Sequence, residues 1–116
     1  MKNNRIAIPM AAGKLSLHFG HCEQFAVIDI ENNKIVKESL VNPPEHVPGS
    51  YPNFLAKNGV KEVLVGGIGQ KAVDIFNKNG IRVHTGAQLK SMNDLVDDYL
   101  NDRLVTGVNN CDGGCD

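Results

Sequence analysis

The stretch that decides the fold is EVLVGGIGQKAVDIFNKNGIRVHT, residues 62–85. Residues 62–65 are short and apolar, which is typical of a buried strand, and a glycine turn follows. Residues 70–78 place apolar side chains at helical spacing, and Gly80 follows where a helix commonly ends. Residues 81–85 form a second strand-like run. A strand, a helix and a strand in this order predict a right-handed crossover between two parallel strands.

Three further strands are predicted upstream of this unit, at residues 5–10, 25–30 and 34–41. We expect the first to end near Pro9, because proline cannot donate to a strand ladder. The asparagines of ENN, residues 31–33, tolerate the left-handed backbone of a tight hairpin between the other two strands. The simplest result is a three-layer α/β domain with a five-stranded mixed sheet of order 3-2-1-4-5, in which strand 2 is antiparallel.

Two more helices complete the predicted domain, at residues 51–58 and 89–100. Ser50 is a candidate cap for the first, with Pro52 tolerated in its first turn. Apolar periodicity fades after residue 100, so we predict a single domain over residues 1–104. Residues 105–116 are predicted to be a flexible tail that contains cysteines.

Composition narrows the classes of partner. The net charge is −1, tryptophan is absent and aromatic residues make up 5% of the chain, which gives no reason to expect nucleic acid or an anionic membrane as partner. The sequence predicts neither a signal peptide nor a membrane span, and therefore a cytoplasmic location. Three cysteines suggest no disulfide framework, and in a reducing compartment they serve more often as ligands or reactive thiols.

The candidate site combines two loops. SLHFGHCEQF, residues 16–25, follows the first strand and carries His18, His21 and Cys22, while residues 66–72 follow the fourth strand. In the predicted sheet these strands are neighbours whose chains depart in opposite directions, which is where a ligand crevice opens. Imidazole and thiolate suit iron, zinc, copper and iron-sulfur centres. Glycine-rich backbone before a helix offers N–H groups to an anion.

Simpler interpretations stay open at this stage. Cys22 could be a small buried hydrophobe, and GGIG could be only a tight turn. Gly67-x-Gly69-x-x-Ala72 also fits a dinucleotide fingerprint, although Thr85 and Gly86 stand where an acidic residue is wanted. The first strand has no carboxylate to hold the magnesium of a nuclease.

Isolated histidines and the tail cysteines give weaker signals. His46 and His84 are read as ordinary exposed or hydrogen-bonded residues. Cys111 and Cys115 could ligate a soft metal, form a small disulfide or pair with another chain.

Three segments together resemble the dinitrogenase iron-molybdenum cofactor biosynthesis family. They are SLHFGHCEQFAVID, GGIGQKAVDIFNKNGIRVHTG and LVDDYLNDRL, and the resemblance extends from Arg5 to about Leu104. It implies a ribonuclease-H-like α/β fold and no active-site chemistry. It also implies that His18 matches the histidine implicated in holding the cluster, while His21 and Cys22 match motif positions of less defined role. The tail cysteines lie outside the match.

The leading hypothesis is therefore a non-catalytic carrier of an iron-sulfur or iron-molybdenum-type cluster or its precursor, with cluster donor and acceptor proteins as partners. Two alternatives are a nucleotide-dependent or redox enzyme that uses GGIG and Cys22, and a structural partner-binding domain. The candidate metal ligands are His18, Cys22, Cys111 and Cys115. The candidate cofactor-binding residues are His18, Phe19, Gly20, His21, Cys22, Gly66, Gly67 and Gly69.

Overall fold

The computed structural model describes residues 4–16, 19–45, 49–87 and 90–104, without the side chain of His21. These residues form one mixed sheet, three helices and a short 3-10 turn at Phe19–His21. The strands are β1 Asn4–Ala11, β2 Lys14–Leu15, β3 Gln24–Glu31, β4 Lys34–Val41, β5 Glu62–Leu64 and β6 Arg82–His84. The helices are α1 Ser50–Lys57, α2 Gln70–Lys78 and α3 Met92–Leu100.

The sheet has the order β4-β3-β1-β5-β6, and β2 pairs with β1 outside this path. β3 is antiparallel to both of its neighbours, whereas β1, β5 and β6 are parallel. The predicted mixed α/β class is confirmed, but the predicted count of five strands is wrong, because the described residues form six. The ribonuclease-H-like assignment stays a prediction from the resemblance.

The additional strand arises from a tight hairpin that follows Pro9. Ala12 and Gly13 both have positive φ, 53° and 78°, and they reverse the chain so that β2 returns beside β1. β1 continues beyond Pro9 because the Pro9 carbonyl accepts from the Ser16 N–H at 2.8 Å. In a strand, the nitrogen and the carbonyl of one residue point to the same side. The Pro9 carbonyl points toward Ser16, so the Pro9 nitrogen, which has no hydrogen, also faces away from β3 and no hydrogen bond to β3 is lost.

The β3–β4 hairpin has the turn that its asparagines predict. Asn32 and Asn33 have φ values of 51° and 65°, the left-handed pair that a two-residue hairpin requires. Because this turn is tight, β3 and β4 leave it as antiparallel neighbours.

The helix limits agree with the sequence at α2 and differ at the other two helices. α2 spans the predicted residues 70–78. α1 begins at Ser50, and its cap is Gly49 with φ 82° and no side-chain hydrogen bond, so the prediction of a Ser50 cap is wrong. α3 begins at Met92, because the Ser91 hydroxyl accepts from the Asp94 N–H and ends the extended chain there.

Each face of the sheet has its own core. On one face, α1 and α2 pack against β1, β3 and β5; on the other, the α3 face, α3 packs against the opposite side chains of the same strands. Within the described part of the chain, no helix is long and apolar enough to cross a membrane. The predicted tail, residues 105–116, lies outside the described residues.

Candidate functional site

The loop between β2 and β3, which carries the HFGHC motif, is fixed to the main chain of β1 at both of its ends. The Ser16 N–H donates to the Pro9 carbonyl and the Glu23 N–H donates to the Met10 carbonyl, each at 2.8 Å. The segment that contains the ligand candidates therefore leaves and rejoins the sheet at adjacent residues of one strand. This arrangement holds the loop at the carboxyl end of β1.

A third hydrogen bond joins this loop to the glycine turn. The Phe19 N–H donates to the Gly67 carbonyl at 2.8 Å. Phe19 follows His18 in the chain, and Gly67 lies in the turn between β5 and α2. The two loops that the sequence singles out are thus in direct main-chain contact, as the sheet order requires.

The side chain of Phe19 anchors the loop in the core. It is fully buried, and its ring centroid lies 5.7 Å from Phe25, 5.9 Å from Tyr51 and 5.5 Å from Phe76. The last two pairs are edge-to-face, a favourable geometry for aromatic rings. The predicted cofactor-binding residue Phe19 therefore turns its ring away from solvent, while Gly20 beside it is also buried.

The glycine turn is buried and closely packed against neighbouring main chain. Gly66, Gly67 and Gly69 are all buried, and the Gly66 carbonyl accepts from the Gly86 N–H at 2.8 Å. Gly69 precedes α2 with φ −74° and ψ 154°, an extended backbone that any residue adopts. Glycine is thus not required at this position by backbone conformation. Gly69 is buried, so any other residue type would add its side chain inside the packed turn.

Cys22 lies in the core rather than on the surface of the loop. Its exposed fraction is 8%, and it packs in the cluster that contains Phe19, Phe25 and Ile68. Burial raises the pKa of the Cys22 thiol to about 12. The thiol is therefore protonated at neutral pH and would have to lose its proton to act as a ligand.

The remaining predicted ligands are only partly placed. His21 closes the 3-10 turn, so its backbone lies at the junction of the two loops. His18, Cys111 and Cys115 lie outside the described residues. Among the residues that the structure does describe, no group of three or more histidine, cysteine or acidic side chains is placed to hold a metal ion.

A polar cluster around Glu62 is absent from the candidates that the sequence suggested. One carboxylate oxygen of Glu62 lies 2.9 Å from His84 Nε2 and 3.7 Å from an Arg82 guanidinium nitrogen. The other accepts hydrogen bonds from the Tyr99 hydroxyl and the Asn4 amide. The cluster joins β1, β5, β6 and α3. The sequence pattern of β5 could have identified Glu62 as an acidic residue next to a buried apolar run. It could not have identified the residues that contact Glu62, because they lie in other parts of the chain.

Comparison with known proteins decides the family. A sequence model described as dinitrogenase iron-molybdenum cofactor matches residues 2–102. The chain belongs to the dinitrogenase iron-molybdenum cofactor family. The resemblance predicted from the three sequence segments is thus confirmed.

Several known proteins are similar to this chain over almost their whole length. An uncharacterized protein of Methanocaldococcus jannaschii is 31% identical over 109 residues, which cover 90% of this chain and 92% of that protein. The crystal structure of the protein PH0822 has a TM-score of 0.82 and 34% identity, over 89% of this chain and 96% of that one. The apo form of the orange protein from Desulfovibrio gigas has a TM-score of 0.77 at 22% identity, over 93% and 96%, which shows a shared fold.

Proposed function

We propose that this protein is a non-catalytic carrier of an iron-sulfur or iron-molybdenum-type cluster, or of its precursor, and that His18 is the principal ligand. The observation that carries the proposal is the hydrogen bond from the Phe19 N–H to the Gly67 carbonyl. It ties the residue next to His18 to the turn that precedes α2. Membership of the dinitrogenase iron-molybdenum cofactor family supports a role in metallocluster biosynthesis.

Each part of the site has its own role in this proposal. The His18 imidazole binds a metal atom of the cargo, and Phe19 positions it by fixing the adjacent main chain in the core. The main chain of the Gly66–Gly69 turn and the start of α2 face the negatively charged sulfide shell of the cargo. Cys22, with its protonated thiol, packs beneath the loop. His21 lies at the end of the 3-10 turn and is a second candidate donor.

A small number of protein ligands suits a carrier. In this proposal one imidazole and several main-chain N–H groups hold the cargo. Most of its metal atoms therefore stay accessible to ligands from the protein that receives it. A closed set of four protein ligands would instead retain the metal, as structural sites do. The partners in this proposal are the proteins that donate and accept the cluster.

Anaerobic reconstitution with iron and sulfide, followed by absorption spectroscopy, tests the proposal. We expect the wild type to retain cluster absorption after desalting and His18→Ala to lose most of it. His84→Ala is the matched control, because it makes the same change at a histidine that contacts Glu62 rather than the loop. Equal retention in wild type and His18→Ala would overturn the assignment of His18. Saturable binding of an adenine nucleotide with no cluster binding would favour the nucleotide-dependent alternative.

A further inference from the structure

β4 carries apolar side chains that the rest of the described chain does not cover. Val36 and Leu40 are 55% and 59% exposed, and Ile35 is 38% exposed. Ile35 pairs with Ile30 and Leu40 pairs with Ala26, two residues of the core on the α3 face. Directly paired residues of antiparallel strands project to the same face, so Ile35 and Leu40 extend this core outward. Val36 is the unpaired residue at an irregularity of β4 and lines a cavity with Arg5 and Asp29, so it is not part of the strip that Ile35 and Leu40 form. Two exposed apolar side chains on one face of an edge strand favour a covering segment.

The chain leaves α3 at the start of this exposed strip. The Asn33 side-chain amide, in the β3–β4 turn, donates to the Leu100 carbonyl at 3.1 Å, so α3 ends beside that turn. Asp102 then takes φ 55°, and the Arg103 N–H donates to the Asp98 carbonyl at 2.7 Å. This geometry ends α3 and turns the chain at the helix end. Leu104 packs against the core on the α3 face, the face that Ile35 and Leu40 share.

The segment that follows has the length and composition to cover the strip. β4 runs from the turn to Val41, which pairs with Phe25, and the Phe25 ring lies 5.7 Å from that of Phe19 in the ligand loop. Leu104 to Cys111 and Lys34 to Val41 are both seven residue steps, about 23 Å each in an extended chain at about 3.3 Å per residue. The large aliphatic residues of the segment, Val105 and Val108, come within its first half.

We propose that residues 105–116 pack along β4 on the α3 face, with Val105 and Val108 over Ile35 and Leu40. This placement carries Cys111 and Cys115 to the end of the sheet that holds the HFGHC loop. A role for these two cysteines in holding cargo rests on the proposed function. The packing itself requires no cargo, so it is tested without any.

Methyl-resolved NMR of the whole chain, without cluster, tests the packing. We expect nuclear Overhauser cross-peaks between the methyl groups of Val108 and those of Ile35 or Leu40. We also expect shifts of the β4 methyl resonances in a chain that ends after Leu104. Val108→Asp keeps the length of the chain and should shift the β4 methyl resonances in the same direction as the shortened chain does. Val83 on β6, the other edge of the sheet, provides a control methyl group whose resonance should not change.

Two outcomes would overturn the proposal. In the first, the cross-peaks are absent and the β4 methyl resonances are the same in the full and shortened chains. In the second, the cross-peaks come from a second copy of the chain, which isotope-filtered spectra of mixed labelled and unlabelled protein would reveal. Loss of cluster binding in His18→Ala, with the cross-peaks intact, would support the proposed function and this packing separately.

Discussion

The Phe19 N–H and the Gly67 carbonyl form a 2.8 Å hydrogen bond that joins the two loops at the carboxyl ends of β1 and β5. The bond joins residues that are far apart in the sequence, and it forms because the parallel strands β1 and β5 are neighbours in the sheet. The main chain next to His18 is therefore held in place by the packing of the buried Phe19 ring in the core. This dependence can be measured.

Phe19→Ala should weaken cluster binding as well as folding. Removing a fully buried phenylalanine costs about 3–5 kcal/mol of unfolding free energy, and here it also frees the loop. Phe76→Ala, which removes an equally buried ring from the same cluster, is the matched control. Urea unfolding and cluster retention, measured at a temperature where both variants are folded, check this. If the two variants retain the cluster equally, Phe19 has no positioning role.

Gly69→Val should reduce cluster binding without backbone strain. The extended conformation at Gly69 accepts a valine, so any effect comes from the added side chain at a buried position next to α2. Gly80→Ala is the contrasting variant, since Gly80 has φ 71° and a Cβ added there meets no atom within 4 Å other than those of its chain neighbours. It should cost about 1 kcal/mol and leave binding unchanged. Normal cluster binding by Gly69→Val would remove the turn from the site.

The Cys22 thiol should resist alkylation. With a pKa of about 12 its thiolate is rare at pH 8, so iodoacetamide should react far more slowly in the folded protein than in urea. The test uses a Cys111→Ser, Cys115→Ser background, in which Cys22 is the remaining cysteine. Because the folded pKa lies above the unfolded value, this thiol stabilises the fold below about pH 8.5 and less as the pH rises further. Rapid alkylation of the folded protein would contradict the burial.

Glu62→Gln should lower stability and flatten its dependence on acid. Burial raises the pKa of Glu62, but hydrogen bonds from Tyr99 and His84 and the charges of His84 and Arg82 outweigh burial and lower it. A depressed pKa means that this stabilisation is present above the unfolded value of about 4.3 and is lost as the pH falls through the folded value. We expect a loss of about 1–3 kcal/mol near neutral pH.

Urea unfolding of wild type and Glu62→Gln from pH 7 to pH 3 measures this difference. Tyr99→Phe, which removes one hydrogen-bond donor to Glu62, should give an intermediate result. Parallel pH curves for wild type and Glu62→Gln would show that the carboxylate does not contribute to acid sensitivity.

Deletion of residues 109–116 should leave the melting temperature nearly unchanged. The deleted part contains no periodic apolar face, and Val105 and Val108 remain in the shortened chain. If Cys111 and Cys115 contribute ligands, the deletion should still speed the loss of cluster to an iron chelator. The matched control is Cys111→Ser with Cys115→Ser in the full chain, which should behave like the deletion. A large fall in the melting temperature would show that residues 109–116 themselves contribute to the stability of the fold.

The sequence alone predicted those features that depend on residues close together in the chain. The 70–78 helix, the asparagine turn and the parallel crossover follow from periodicity, from left-handed propensity and from handedness, which a short stretch of chain determines. The HFGHC motif led to the family in the same way. The two-residue strand β2 was missed because two residues carry no periodicity.

Tertiary structure alone decided which side chains meet. Burial of Cys22 depends on the aromatic rings that close over it, and Glu62 acquires its four partners from β1, β6 and α3. The contact of Phe19 with Gly67 likewise joins segments far apart in the chain. Such contacts arise when the two faces of the sheet bury their apolar side chains at once, and no local pattern encodes the pairs that this packing brings together.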